Sequence, residues 1–290
     1  MLTDTIIRQI TPEDLPTLKS LLGFEFFVHR HLDWNSPLDW YDQVPFLILE
    51  QDKKILAVLA CPEDPPGVCW VHLFSSVNGF PPKQTWPILF APILDYLKEK
   101  PHIQWLAAIS LQSWFTTLLQ ENGFQHFQDI VVLELNLEQT RQIHVSLNTQ
   151  IVIREMDDAD LDAVSEVDRL SFHPLWQNTY RVLRDAWRLA AYSTVAQMEE
   201  RIVAYQICTS SIYNAHLARL AVHPAFQRLG IASTLISNIY SHFKEQGANR
   251  LTVNTQSDNK SSLSLYHKIG FQLTGDSYPV FVFPQTNILD

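Results

Sequence analysis

Only eight of the 290 residues are glycine and only three are cysteine. Cys61, Cys69 and Cys208 are an odd number, at spacings that suit neither a disulfide framework nor the usual paired zinc ligands. They are expected to be buried or bystander thiols. His29 and His31 flank Arg30, but two histidines without a third ligand nearby do not make a metal site, so no metal is expected. There is no basic block or arginine-rich stripe, and 31 acidic against 21 basic residues leave a net charge of -10. Nucleic acid and an anionic membrane surface are therefore not expected as main partners. No apolar run approaches the roughly 18 to 20 residues of a membrane helix. The start, MLTDTIIRQI, lacks the basic region and apolar stretch of an export signal. A soluble, cytoplasmic chain without a membrane partner is expected.

The composition that remains, 46% hydrophobic and 18% charged, is that of a globular protein. The chain also repeats itself. IRQITPEDL begins at Ile7 and IREMDDADL at Ile153, while LLQENGF begins at Leu118 and LYHKIGF at Leu265. The two offsets, 146 and 147 residues, agree closely enough to imply two copies of one fold. The copies are expected over residues 1–140 and 148–290, with a boundary in the polar stretch 138–149.

In the second copy, Ile151 to Met156 alternates like a strand. Asp157 or Asp158 can cap a helix whose Leu161, Val164, Val167 and Leu170 share a face. A helix over Tyr180 to Leu189 precedes strands Tyr192 to Met198 and Ile202 to Thr209, joined by the turn Glu199 to Arg201. Strand His216 to Val222 leads through HPAFQRLGIA into a helix carrying Leu235, Ile236, Ile239 and Phe243, which Gly247 ends. Strand Leu251 to Thr255, a helix from Lys260 to Ile269 and strands around Gln272 and Val280 follow. Strands bracketing helices in this way predict a mixed α/β (α+β) fold.

The stretch QRLGIA, Gln227 to Ala232, places one of the rare glycines where a helix starts. A helix N-terminus leaves backbone N–H groups unpaired and carries partial positive charge, which suits a phosphate. An anion reaches that backbone only where side chains are small, and Gly230 and Ala232 supply the small positions. A tight helix start or close helix packing would use the same residues.

LARLAVHPAFQRLGIASTLI and LTVNTQSDNKSSLSLYHKIGF together resemble the acyl-CoA motif and the following strand and helix of the GNAT superfamily of N-acetyltransferases. The resemblance runs from about Ile151 to Phe283, with Ala232 where many members have glycine. It implies two tandem GNAT-like domains, each a mixed, mostly antiparallel sheet flanked by helices. It further implies that acetyl-CoA is the co-substrate. Backbone N–H groups of Gln227, Arg228, Leu229, Gly230, Ile231 and Ala232 would hold its pyrophosphate. The strand at Leu220, Ala221 and Val222 would hold the pantetheine arm, and Asn259 and Ser262 would lie beside the cofactor.

Tyr266 would protonate the departing thiolate, which a phenol of pKa about 10 can do, or it packs beside the sulfur. An alkylammonium of similar pKa must lose a proton before it attacks. His216, on the strand of Leu220 and Val222, is the candidate base, and simple alternation would put positions 216, 218, 220 and 222 on one face. A packing histidine or a base working through water are the alternatives. Phe172 and Trp176, in the link SFHPLWQNTY, would shape the acceptor pocket or pack helices together.

Laid on the second copy at an offset of 147, the first has Leu119 at the place of Tyr266, Cys69 at that of His216 and Lys83 at that of Gly230. Pro81 and Pro82 remove two N–H donors from its loop. It is expected to be a degenerate copy that packs against the active one or roofs its cleft, in a monomer or homodimer. No cysteine falls in the cofactor motifs, so direct acetyl transfer is expected, to the primary amine of a small molecule or amino acid. A peptide N-terminus or lysine is the alternative acceptor, and a non-catalytic acyl-CoA sensor the alternative function.

Overall fold

The computed structural model describes residues 5–140, 142–143 and 148–284, so Arg141 and residues 144–147 of the expected boundary lie outside the described residues. The chain runs β1 (Ile6–Gln9), α1 (Leu15–Phe24), β2 (Phe27–Arg30), β3 (Phe46–Gln51), β4 (Lys54–Ala60), β5 (Val68–Trp70), β6 (Leu73–Ser76), α2 (Pro82–Lys98), β7 (Trp105–Ile109), α3 (Ser113–Glu121) and β8 (Gln125–Asn136). It continues through β9 (Ile151–Glu155), α4 (Leu161–Ser171), α5 (Tyr180–Leu189), β10 (Tyr192–Met198), β11 (Arg201–Ser210), β12 (Asn214–Val222), α6 (Ile231–Glu245), β13 (Arg250–Gln256), α7 (Lys260–Ile269) and β14 (Gln272–Val282).

Two compact units result, one of residues 1–127 and 278–290, the other of residues 128–277. These cuts fall elsewhere than the repeat in the sequence suggests. The end of the first repeat, β8 from Gln128 on, belongs to the second unit, and β14 from Tyr278 on belongs to the first. Edge partners decide this: β8 pairs with β13 from Arg250↔Asn136 to Gln256↔Ile130, while Val280 to Val282 pair with Ile109 to Ala107 of β7. The two strands expected around Gln272 and Val280 are one continuous β14.

The second unit carries the strand order β8-β13-β12-β11-β10-β9, antiparallel throughout except for the pair β12–β13. One face is covered by α6 and α7, whose Ile236, Ile239, Phe243, Tyr266 and Ile269 pack on Leu133, Leu217, Leu251 and Val253. On β11 and β12 lie α4 and α5. Leu161, Val164 and Val167 of α4 are buried as their spacing predicts, but Leu170 stays 38% exposed. In the first unit, α2 and α3 bury Trp86, Leu89, Ile93, Phe115 and Leu119 against Leu59, Phe74, Leu106 and Phe281.

The sequence repeat has a physical cause. Arg8 of β1 donates to Asp14 from Nη1 at 2.7 Å and Nη2 at 2.8 Å. Arg154 of β9 does the same to Asp160 at 2.6 Å from each nitrogen. Each aspartate also accepts a backbone N–H at the turn, Thr11 at 2.8 Å and Asp157 at 2.9 Å. A bidentate pair with a satisfied carboxylate fixes the corner between first strand and first helix in both units. Arg8 holds the Asp14 carboxyl down at about 2.

Candidate functional site

Parallel pairing of β12 with β13 covers only Asn214↔Arg250 to Leu217↔Val253. Beyond Leu217 the strands part, because β13 continues beside β8 while β12 follows β11 to Val222↔Ala204. His223 N–H bonds to Val203 O at 2.8 Å, so by antiparallel alternation Ala221 and Arg219 point their backbone groups at β11. Leu220 and Val222 then present theirs to the edge that β13 leaves open. Among the described residues no strand pairs with that edge. The Val222 carbonyl already accepts from Ser171 Oγ and Gln227 Nε2, both at 3.0 Å. An extended amide-bearing arm would therefore pair with Leu220 and the Val222 N–H.

The ladder shifts register between Ile207 and Cys208, where Arg219 and Leu217 face consecutive residues of β11 and Ala218 is the extra residue. This bulge corrects the simple alternation expected for β12. His216 shares a face with Arg219 and Ala221, whereas Leu220 and Val222 share the opposite face with Leu217. That opposite face is the one α6 covers, with Leu220 packed beside Leu235 and Ile236.

After Val222 the chain makes a short turn at Pro224–Phe226 and enters α6 through Gly230. Gly230 (φ 80°) and Arg228 (φ 66°) are both left-handed. For arginine that conformation costs about 1 to 3 kcal/mol and marks a site held for a purpose. It turns successive N–H groups to one side, as in anion-binding nests. Gln227 departs from expectation, since its N–H bonds to Pro224 O at 3.3 Å and its side chain is spent on Val222. Among the described residues, no acceptor takes the N–H groups of Arg228, Leu229, Gly230, Ile231 or Ala232. Five adjacent N–H groups at a helix start fit a pyrophosphate. Asn259 and Ser262 are a capping pair, Asn259 Oδ1 accepting the Ser262 N–H at 3.0 Å at the start of α7.

Tyr266, on α7, is 5% exposed and lies on the α6 and α7 side of the sheet. Burial pushes its phenol up from the ordinary value, and nearby Cys208 adds to the shift. The ring therefore keeps its proton at neutral pH. Burial likewise pushes the Cys208 thiol up, and its S–H donates to Gln206 Oε1 at 3.0 Å, so Cys208 is no nucleophile.

His216 sits on the other side, with Nδ1 at 2.9 Å from Thr252 Oγ1. Thr252 Oγ1 lies 3.3 Å from the Ala215 carbonyl, which can only accept. Thr252 gives its proton there, receives one from His216 Nδ1–H, and leaves the lone pair on Nε2. Burial lowers the His216 pKa, which keeps that lone pair free at neutral pH.

The link 172–179 is fixed by a group of residues that motif analysis missed. Asp168 of α4 is fully buried. It accepts from Arg219 Nε and Nη2 at 2.8 Å, from Asn178 N–H at 2.8 Å and from Tyr205 OH. Arg219 also donates to the Trp176 carbonyl at 2.7 Å and lies 3.6 Å above the Phe172 ring. Phe172 and Trp176 are thereby brought to the His216 face of β12. The signal in the sequence was faint: one arginine inside an apolar strand and one aspartate on a helix.

The first unit shows what happens when the open edge is filled. Its counterpart of β12 is split into β5, parallel to β7, and β6, antiparallel to β4. The free edge of β6 is taken by β2, from Phe27↔Ser76 to Arg30↔Leu73. His29 of β2 is buried there, stacked 3.8 Å from Phe115 and bonded through Nε2 to Val71 O at 2.9 Å. The helix that follows is capped by Pro81 instead of a left-handed glycine. A protein strand occupies the place a ligand arm would need.

Residues 161–271 match the model of the acetyltransferase (GNAT) family. A ribosomal protein bS18-alanine N-acetyltransferase of Haemophilus ducreyi is 32% identical over 73 residues, 25% of this chain and 50% of that protein. N-alpha-acetyltransferase 30 of Schizosaccharomyces pombe is 26% identical over 103 residues, 34% of this chain and 67% of that protein. The chain thus spans about half the length of the first relative and two thirds of the second. A tandem GNAT protein from the clavulanic acid biosynthesis pathway shares the fold over 96% of this chain and 98% of its own, with a TM-score of 0.63 at 14% identity. A GCN5-related N-acetyltransferase from Sphaerobacter thermophilus does so over 97% and 95%, with a TM-score of 0.60 at 14% identity. The second unit thus carries the match to the acetyltransferase (GNAT) family, over residues 161–271, and the chain as a whole shares the fold of a tandem GNAT protein.

Proposed function

We propose that the second unit binds acetyl-CoA and transfers the acetyl group directly to a primary amine, and that the first unit binds none. What supports this reading is the presence of three features in the second unit. They are the free N–H groups from Arg228 to Ala232, the open edge at Leu220 and Val222, and the protonated Tyr266. The amine nitrogen bonds to the acetyl carbon as the C–S bond breaks. His216 Nε2 takes the proton the amine must lose, directly or through a water. Tyr266 faces the departing sulfur as a hydrogen-bond donor. Its raised pKa keeps the proton in place until negative charge develops on the sulfur.

For the acceptor, the names of the relatives favour the α-amino group of a peptide. The Haemophilus ducreyi protein and a Salmonella typhimurium relative, 27% identical over 73 residues, are named for an alanine of ribosomal protein bS18. A free small amine or amino acid is the other arm of the test. The experiment is acetylation of an alanine-terminated peptide, the same peptide with a blocked N-terminus, and a panel of small amines. Tyr266→Phe should lower the rate by about 100-fold with acetyl-CoA affinity intact. An unchanged rate removes Tyr266 from the reaction, and binding without transfer to any amine makes the unit an acyl-CoA sensor.

A further inference from the structure

Asn148 lies in the segment between the two sequence repeats, about 80 residues ahead of the loop that leads into α6, and no motif marks it. Its backbone N–H and both polar atoms of its side chain are nevertheless in use. Its backbone N–H donates to Thr234 Oγ1 at 2.8 Å, its Nδ2 donates to Leu229 O at 2.9 Å, and its Oδ1 accepts from Gln150 N–H at 2.8 Å. Thr234 in turn closes the first turn of α6, its N–H and Oγ1 both bonding to Gly230 O at 3.0 Å. The Gly230 carbonyl can only accept, so the threonine hydrogen goes there and its oxygen is left for Asn148.

Asn148 thus grips the chain on both sides of Gly230. On either side of the Leu229 grip lies the least comfortable backbone of the site, with Arg228 and Gly230 left-handed. An arginine stays in that region only when its surroundings over-determine it. The same connecting segment is anchored further along α6, where Tyr240 OH donates to Thr140 O at 2.6 Å, Lys244 Nζ donates to the same oxygen, and Ile143 is buried in the α6 cluster.

We infer that Asn148 is a positioning residue for the pyrophosphate-binding loop, so that a residue lying between the two repeats belongs to the acetyl-CoA site. The inference rests on the function proposed above. Its ligand chemistry is that of a diphosphate diester. Losing Asn148 should weaken ligands that carry the diphosphate and spare ligands that carry only the pantetheine arm.

The test compares wild type, Asn148→Ala and Thr234→Val in the full chain, each titrated with acetyl-CoA and, at millimolar concentration by thermal shift, with S-acetyl-pantetheine. Both variants should bind acetyl-CoA about tenfold more weakly and respond to S-acetyl-pantetheine as wild type does. Equal loss on both ligands, or no loss on acetyl-CoA, overturns the inference. Hydrogen exchange of the Thr234 amide, measured without ligand, keeps it separate from the proposed function. That amide should exchange faster in Asn148→Ala, and unchanged exchange overturns the positioning role. A wild-type chain that binds no acetyl-CoA refutes the proposed function, whatever the exchange shows.

Discussion

Replacing Arg219 by methionine should be among the most damaging single changes in the second unit. The Asp168 carboxylate is fully buried and takes two of its four hydrogen bonds from Arg219, at 2.8 Å each. Methionine keeps most of the aliphatic volume and removes the positive charge, leaving a buried carboxylate with only Tyr205 and Asn178. Stranding one partner of a buried pair costs about 3 to 5 kcal/mol. In a unit of this size each kcal/mol moves the melting temperature by about 2 to 4 °C, so a fall of about 10 °C is expected. Tyr205→Phe removes one bond to the charged group and should cost about 1.5 to 3 kcal/mol. The double variant Arg219→Met, Asp168→Leu should recover part of the loss, since the buried charge is gone while Tyr205 OH and Asn178 N–H are orphaned. Urea denaturation of the full chain, followed by tryptophan fluorescence, measures all three. The reasoning fails if Arg219→Met lies within about 1 kcal/mol of wild type, or if the double variant is worse than Arg219→Met alone.

Three further expectations follow from the same geometry. Because burial lowers the His216 pKa, the acid limb of kcat/KM should lie below about pH 6.5, and His216→Gln should abolish that limb while lowering the rate. A limb that persists in His216→Gln belongs to another group. His29, held down to about 4 by burial in the first unit, binds a proton in the unfolded chain before it does in the folded one. Stability is therefore complete above its ordinary value of about 6.5 and lost as pH falls toward 4, by about 3 kcal/mol for this group. His29→Phe should flatten that part of the urea midpoint against pH, and an unchanged slope would contradict the assignment. Thr252→Val removes the acceptor that fixes the His216 tautomer and should lower kcat about tenfold with acetyl-CoA affinity unchanged, an effect of about 1.4 kcal/mol. Full activity in Thr252→Val would show that the tautomer is set elsewhere.

Local signals in the sequence carried the second unit well. Tyr180 to Leu189 and Lys260 to Ile269 are helices with the expected ends, because their apolar period and their caps, Thr179 and Asn259, lie within a few residues. Gly230 was legible for the same reason, as a rare glycine standing directly before an amphipathic run. What stayed hidden depends on partners distant in the chain. The bulge at Ala218 is a property of two strands together, so alternation along β12 alone misplaces His216 against Leu220. The exchange of β8 and β14 between units is decided by which edge each strand meets. In the first unit, only the pairing of FVHR with β6 shows that it fills an edge whose counterpart in the second unit, beside Leu220 and Val222, is left open. The cluster around Asp168 joins α4, β11, β12 and the link 172–179, four places that no local window contains together.

The central claim is one live acyl-CoA site in a chain built from two copies of one fold. Calorimetric titration of the full chain with acetyl-CoA tests it without a guess at the acceptor. The account predicts one site per chain, with affinity in the micromolar range, about -8 kcal/mol. Two sites per chain would contradict the reading of β2 as a filled edge, and no binding by the folded protein would contradict the site at Arg228 to Ala232.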